Sequence, residues 1–193
     1  RLVTTSGTCA VMGTASTMAC ITETLGMALP GTAAIPAIHA DRLRAAEASG
    51  AQAVHLAQID RDKQLTPKKI ITPASVENAL RILLAVGGST NAIIHLTAIA
   101  GRLGIPIPLQ QLNKLSDETP VLIDLKPTGD HYMEDLFKAG GLGVVLRELK
   151  SLLNLECLSL TVETLNESLH SEPSYLNREV VRSFDQPIQK MGG

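Results

Sequence analysis

The feature that most constrains this chain is a pair of apolar segments set end to end. "TPASVENALRILLAVGG" (72–88) has a capping Thr72, Pro73 at the first helical position and a Gly87-Gly88 stop, which together spell a helix. "STNAIIHLTAIAGRLGI" (89–105) starts a second helix behind Ser89 or Thr90 and ends it near Gly104. Aromatic residues are only 2% of the chain against 45% hydrophobic, so the core is built from Ala, Leu, Ile and Val. That composition suits closely packed helices lying against a sheet, a helix-rich α/β fold.

Other helices read from the same signals. Met12, Ala15, Ala19, Thr22 and Leu25 recur at helical spacing, with Thr14, Ser16 and Thr17 as cap candidates. A Pro/Gly loop (28–37) leads into an Ala-rich amphipathic helix over 37–59, weakened locally by Gly50. Residues 60–69 read as a polar connector and 108–115 as a short helix. "PVLIDL" (120–125) reads as a buried strand, 126–130 as a turn, and 131–152 as two short helices split at Gly140-Gly141. "CLSLTV" (157–162) reads as a strand, 164–169 as a short helix and 171–193 as an extended linker with a helical turn.

Several function classes fall away. The formal net charge is −2 and the basic residues are scattered, leaving no electrostatic footprint for nucleic acid. No apolar run reaches the ~18–20 residues that span a bilayer, and no signal peptide is present, so no membrane role is expected. Cys9, Cys20 and Cys157 are an odd count with no CxxC spacing, which fits a reducing cytoplasm. The chain opens on Arg1 rather than Met and stops without a closing element, so it reads as a piece of something larger.

Cys9 is the most suggestive residue. It lies between Gly7 and Gly13 just before a helix, where free N–H groups and the helix dipole would favour a thiolate. Three readings stand open: a small buried hydrophobe, a nucleophile awaiting a base, and a metal or cluster ligand. Cys20 cannot share a small cluster with it, because eleven helical residues span roughly 16 Å; it reads as core. "AVGGSTN" (85–91) puts Ser89, Thr90 and Asn91 at a helix start that could hold a carboxylate or phosphate. An ordinary turn and N-cap stands ahead of that reading, and no Lys follows to make a P-loop. "AGGLG" (139–143) is not a GxGxxG. His39 and Asp41 flank a helix start, while His55 and His95 sit among apolar residues and read as packed. His131, Glu134 and Asp135 could face one site or simply form a solvated helix face.

Motifs in order carry the chain further. "GTCAVMGTASTMACITETLGMALPGTAAIPA" (7–37), "NALRILLAVGGSTNAIIHLTAIAGRLGI" (78–105) and "PVLIDLKPTGDHYMEDLFKAGGLGVVLREL" (120–149) resemble the dihydroxy-acid dehydratase / phosphogluconate dehydratase family, and "FDQPIQKMGG" (184–193) resembles the lead-in to its C-terminal barrel. The resemblance implies a partial N-terminal α/β, cluster-binding domain over 1–170 and a linker over 171–193 into an absent β-barrel domain. It implies a cytoplasmic hydro-lyase, homodimeric or larger, that converts a small 2,3-dihydroxy acid to the 2-keto acid. An iron–sulfur cluster, [2Fe-2S] in preference to [4Fe-4S], would act as Lewis acid beside Mg²⁺, with a serine as base. Cys9 matches the third cluster cysteine; the other cluster cysteines, the Mg²⁺ ligands and the serine fall outside this chain, so no further catalytic residue is expected within it and the fragment is expected to be inactive alone. Val11, Ser16 and "HYMED" lean toward the sugar-acid branch. Two alternatives stand beside this: a non-catalytic remnant serving as a binding module, and a nucleophilic-cysteine enzyme.

Overall fold

A computed structural model describes residues 6–60, 64–170 and 175–192. Its helices are α1 (Thr14–Thr24), α2 (Ala40–Gln58), α3 (Pro67–Ile70), α4 (Pro73–Ala85), α5 (Asn91–Arg102), α6 (Leu109–Glu118), α7 (Met133–Lys138), α8 (Gly141–Glu148) and α9 (Leu165–Ser168), with a 3-10 turn at Lys150–Leu152.

α4 is the centre, and its ends are set by the residues that mark them in the sequence. Thr72 Oγ1 accepts the Ser75 N–H at 3.3 Å, Ser75 Oγ accepts the Thr72 N–H at 2.8 Å, and Pro73 occupies the first turn. From Asn78 to Ala85 every residue is buried. One side of the helix joins α1, α5 and α6 through Leu80, Leu83 and Leu84, which pack with Ile21, Leu96 and Leu115. The other side, through Ile82, Ala85 and Val86, packs with Leu122, Leu125, Leu136 and Val145 around α7 and α8. Each such aliphatic side chain taken fully from water contributes about 1.5–3 kcal/mol. α4 thus divides two apolar clusters, and its one buried cation, Arg81, is met by Glu118 at 3.0 Å, Glu77 at 3.3 Å and Thr119 Oγ1 at 3.2 Å.

The fold is helix-rich. The expected strand at 120–125 is extended and buried, but it makes isolated bridges only: Val121 with Gln189, Ile123 with Val181 and Leu125 with His131. Its remaining backbone bonds go to a helix end and a returning loop, with Leu122 N–H donating to Ala85 O at 2.9 Å and Asp124 N–H to Val180 O at 2.9 Å. No sheet forms among the described residues. The 157–162 segment likewise has a single bridge, Leu158 with Thr164. Residues 175–192 of the expected linker come back over this segment and bury Val180 and Val181; residues 171–174 lie outside the described ones.

Other differences are local. α1 begins behind Gly13, not behind a capping hydroxyl. The connector contains the short helix α3, started by Pro67; Arg61, Asp62 and Lys63 lie outside the described residues. His55 and His95 are exposed, not packed, because α2 buries no residue and α5 turns only Ala92, Leu96 and Ala100 inward. No helix among the described residues is long and apolar enough to cross a membrane.

Candidate functional site

Cys9 is exposed, in the loop that enters α1. Its backbone surroundings are fixed from several directions. Ala10 O accepts the Met133 N–H at 2.8 Å, and the Met12 N–H donates to Lys126 O at 2.8 Å, so α7 and the 126–130 turn both grip the loop. Gly13 brings the helix start under the thiol: a Cβ built there would lie 3.5 Å from Cys9 Sγ. Gly7 has φ +102°, and a Cβ on it would come within 2.5 Å of the Ala37 Cβ, so no other residue serves at that contact.

The thiol opens on a cavity of about 520 Å³. Its walls come from the first turns of α1, from the loop 32–37, and from Met133 and Glu134 at the start of α7. Alanine is the commonest lining residue, which leaves room, with hydroxyls from Thr8, Ser16, Thr22 and Thr32 spaced around it. Arg42 on α2 reaches the rim and donates to Ile35 O. The volume is that of a small-molecule pocket.

Glu23, Arg42 and Thr32 had no place in the sequence reading. Glu23 is buried on α1, with Oε1 accepting the Gly31 N–H at 2.8 Å and Oε2 the Ala33 N–H at 2.7 Å. Burial pushes its carboxyl above the ordinary range, against the opposing pull of the N–H groups of Gly31, Ala33 and Thr32. A carboxylate inside an otherwise small and hydroxyl-bearing helix was the available signal.

Of the other candidate site residues singled out in the sequence, Glu134 shares the Cys9 cavity and the rest do not line it. Cys20 is fully buried, and burial, with Glu23 adding to the rise, pushes its thiol up to about 12. Cys157 is half-buried, its Sγ 3.6 Å from Asn78 Nδ2. Ser89 and Asn91 turn toward α1: Ser89 Oγ lies 3.0 Å from Thr14 Oγ1, and Asn91 Nδ2 donates to Thr14 Oγ1 at 3.2 Å. Thr90 is exposed. The 87–91 turn therefore braces the start of the helix that follows Cys9. In the "HYMED" cluster, Asp135 caps α7 by accepting the Tyr132 N–H at 2.9 Å, and Glu134 faces the cavity with Lys138 2.9 Å away. His131 Nδ1 lies 3.5 Å from Asp124 Oδ2, close enough to pair when charged but not aligned for a hydrogen bond.

Three or more His, Cys, Asp or Glu side chains that could jointly hold a metal ion are not found among the described residues. What the chain offers is an exposed sulfur donor beside a pocket, close to the start of α1 at Gly13. That fits one position in a ligand set completed by other segments, and it does not fit a self-contained centre.

The family model "Dihydroxy-acid/6-phosphogluconate dehydratase N-terminal" matches residues 1–168, and the chain belongs to that family. Proteins named dihydroxy-acid dehydratase are its relatives: that of Caldanaerobacter subterraneus subsp. tengcongensis is 42% identical over 98% of this chain and 34% of its own length. Those of Methanospirillum hungatei and Caldicellulosiruptor bescii are 42% and 43% identical, each over 97% of this chain and 33% of their own length. The chain spans about a third of the length of the curated relatives it matches.

Proposed function

We propose that this chain is the thiol-bearing part of a hydro-lyase that converts a 2,3-dihydroxy carboxylic acid to the 2-keto acid. The observation that carries the reading is Cys9, an exposed thiol held over the cavity by a loop pinned to α7 and to the 126–130 turn. Family membership and the relatives' names support the reaction class.

When bound, an iron–sulfur cluster would supply Lewis acidity for the departing hydroxyl, and Mg²⁺ would bind the substrate. Cys9 would be one cluster ligand, a [2Fe-2S] core being favoured, with the remaining cluster, Mg²⁺ and base residues contributed by segments beyond this chain. The chain's own part is positional. The loop bonds from Ala10 and Met12 to α7 and the 126–130 turn hold the thiol beside the cavity, and the alanines of α1 and the 32–37 loop keep that cavity wide. The chain would form part of the α/β domain of the whole enzyme, and residues beyond 170 would lead into a barrel domain. Multiple copies, homodimer or larger, would assemble in the cytoplasm.

The test is turnover in the full-length protein against a branched dihydroxy acid and an aldonic acid, with and without Cys9→Ser. The expected result is dehydration of one of the two and loss of both activity and visible cluster absorbance in the variant. Preference for the aldonic acid would bear out the sugar-acid lean from Val11 and Ser16. Full activity of Cys9→Ser would end the ligand assignment, and absence of any turnover by the unaltered full-length protein would favour the binding-module reading.

A further inference from the structure

Glu23 stands near the far end of α1 from Gly13. A buried carboxyl is costly unless its oxygens are hydrogen-bonded. Both of its oxygens are spent on one loop, taking the N–H groups of Gly31 and Ala33 at 2.8 and 2.7 Å, and no ion pair of Glu23 is found among the described residues.

That loop does not stop at Ala33. It continues through Ala34, Ile35 and Pro36 as the cavity wall and reaches Ala37, which sits against Gly7 with no slack, since a Cβ on Gly7 would come within 2.5 Å. Gly7 is two residues before Cys9. The path closes on itself, because α1 carries Glu23 at one end and begins at Gly13 beside Cys9 Sγ at the other. The Cys9 loop is thereby held between the start of α1 and a wall that Glu23 ties to the end of the same helix.

We propose that Glu23 is a positioning residue for Cys9: by gripping residues 31–33 it fixes the wall at Ala37 on which the Gly7–Cys9 turn rests. This rests on the reading of Cys9 as a cluster ligand, but the mechanical coupling can be read without any cluster.

Amide hydrogen exchange of the full-length protein, freed of metal, tests it. Glu23→Gln keeps the side chain's size but sets an NH₂ against one of the two N–H donors. Exchange should speed up by about tenfold or more both at 31–37 and at 7–13, while α4 amides keep their protection. Reconstituted with iron and sulfide, the same variant should hold less cluster per chain by visible absorbance. Faster exchange confined to 31–33, with 7–13 unmoved, would overturn the proposal, as would no change at either place. Gly7→Ala approaches the same contact from the other side, and by reciprocity it should loosen 31–33; if Glu23→Gln does not fold, an unmoved 31–33 in Gly7→Ala overturns the proposal instead. Coupled exchange together with full cluster content in Cys9→Ser would refute the ligand reading and leave the Glu23 linkage standing.

Discussion

Thr17 and Ser89 meet across the molecule, with the Ser89 N–H donating to Thr17 Oγ1 at 3.1 Å while Thr17 Oγ1 donates to Gly13 O at 2.8 Å. Thr17 is fully buried, so this one hydroxyl serves both the start of α5 and the residue beneath the Cys9 thiol. The Gly87–Asn91 turn thereby braces α1. Gly88 fits the same joint, since a Cβ there would lie 2.6 Å from Thr17 Cγ2.

Thr17→Val keeps the shape and removes the hydroxyl, leaving the Ser89 N–H without its acceptor. The expected loss is about 1–3 kcal/mol in denaturant unfolding, with Thr17→Ser recovering most of it. A valine variant as stable as the parent would show that the joint contributes nothing.

The three thiols should react in order of access. Cys9 is exposed, Cys157 is half-buried with its thiol raised by burial, and Cys20 is buried with its thiol pushed up to about 12. Thiolate is the nucleophile, so Cys20 stays unreactive in the folded protein. Mass spectrometry after timed iodoacetamide treatment of metal-free protein checks the order Cys9, Cys157, Cys20; early labelling of Cys20 contradicts it.

Glu23 gives stability a pH dependence of definite sign. Burial raises its folded-state pKa above 4.5, so between the unfolded and folded values the folded chain holds the extra proton. The stability it contributes is full below about 4.5 and is lost as pH rises through the folded pKa. The stability difference, parent minus Glu23→Gln, should therefore shrink as pH rises from 4.5 toward neutrality. Urea titrations of both proteins at several pH values measure it, and a difference that grows with pH would reverse the assignment.

Asn78 is fully buried on α4 and clasps the backbone of Asn154, donating to its carbonyl at 2.9 Å and accepting its N–H at 2.8 Å. Asn78→Ala removes both bonds and should cost about 2–4 kcal/mol. It should also speed alkylation of Cys157, whose Sγ lies 3.6 Å from Asn78 Nδ2. Unchanged stability together with an unchanged Cys157 rate would show that the clasp is idle.

The helices were legible because their ends are written in short-range chemistry. Thr72-Pro73 and Gly87-Gly88 bound α4, and Gly140-Gly141 divide α7 from α8. Strand character was not legible in the same way, since an apolar run such as 120–125 reports burial but not which neighbours its backbone will find. The exposed His55 and His95 show the same limit, because apolar sequence neighbours on a helix point in other directions. The position of Cys9 in a loop just before α1 was legible from the flanking glycines and the helical spacing that follows it. Glu23 was missed because its partners are backbone N–H groups eight and ten residues on, which no spacing rule reveals.

The return of residues 175–192 over the extended 120–125 segment limits how this chain can be shortened. Val121 N–H and Asp124 N–H donate to Gln189 O and Val180 O, and Gly192 N–H donates to Ser116 O. A version trimmed at 170 would strip those acceptors from a buried backbone and uncover the apolar layer beneath Val180 and Val181. The useful end point for expressing this piece therefore lies no earlier than Gly192.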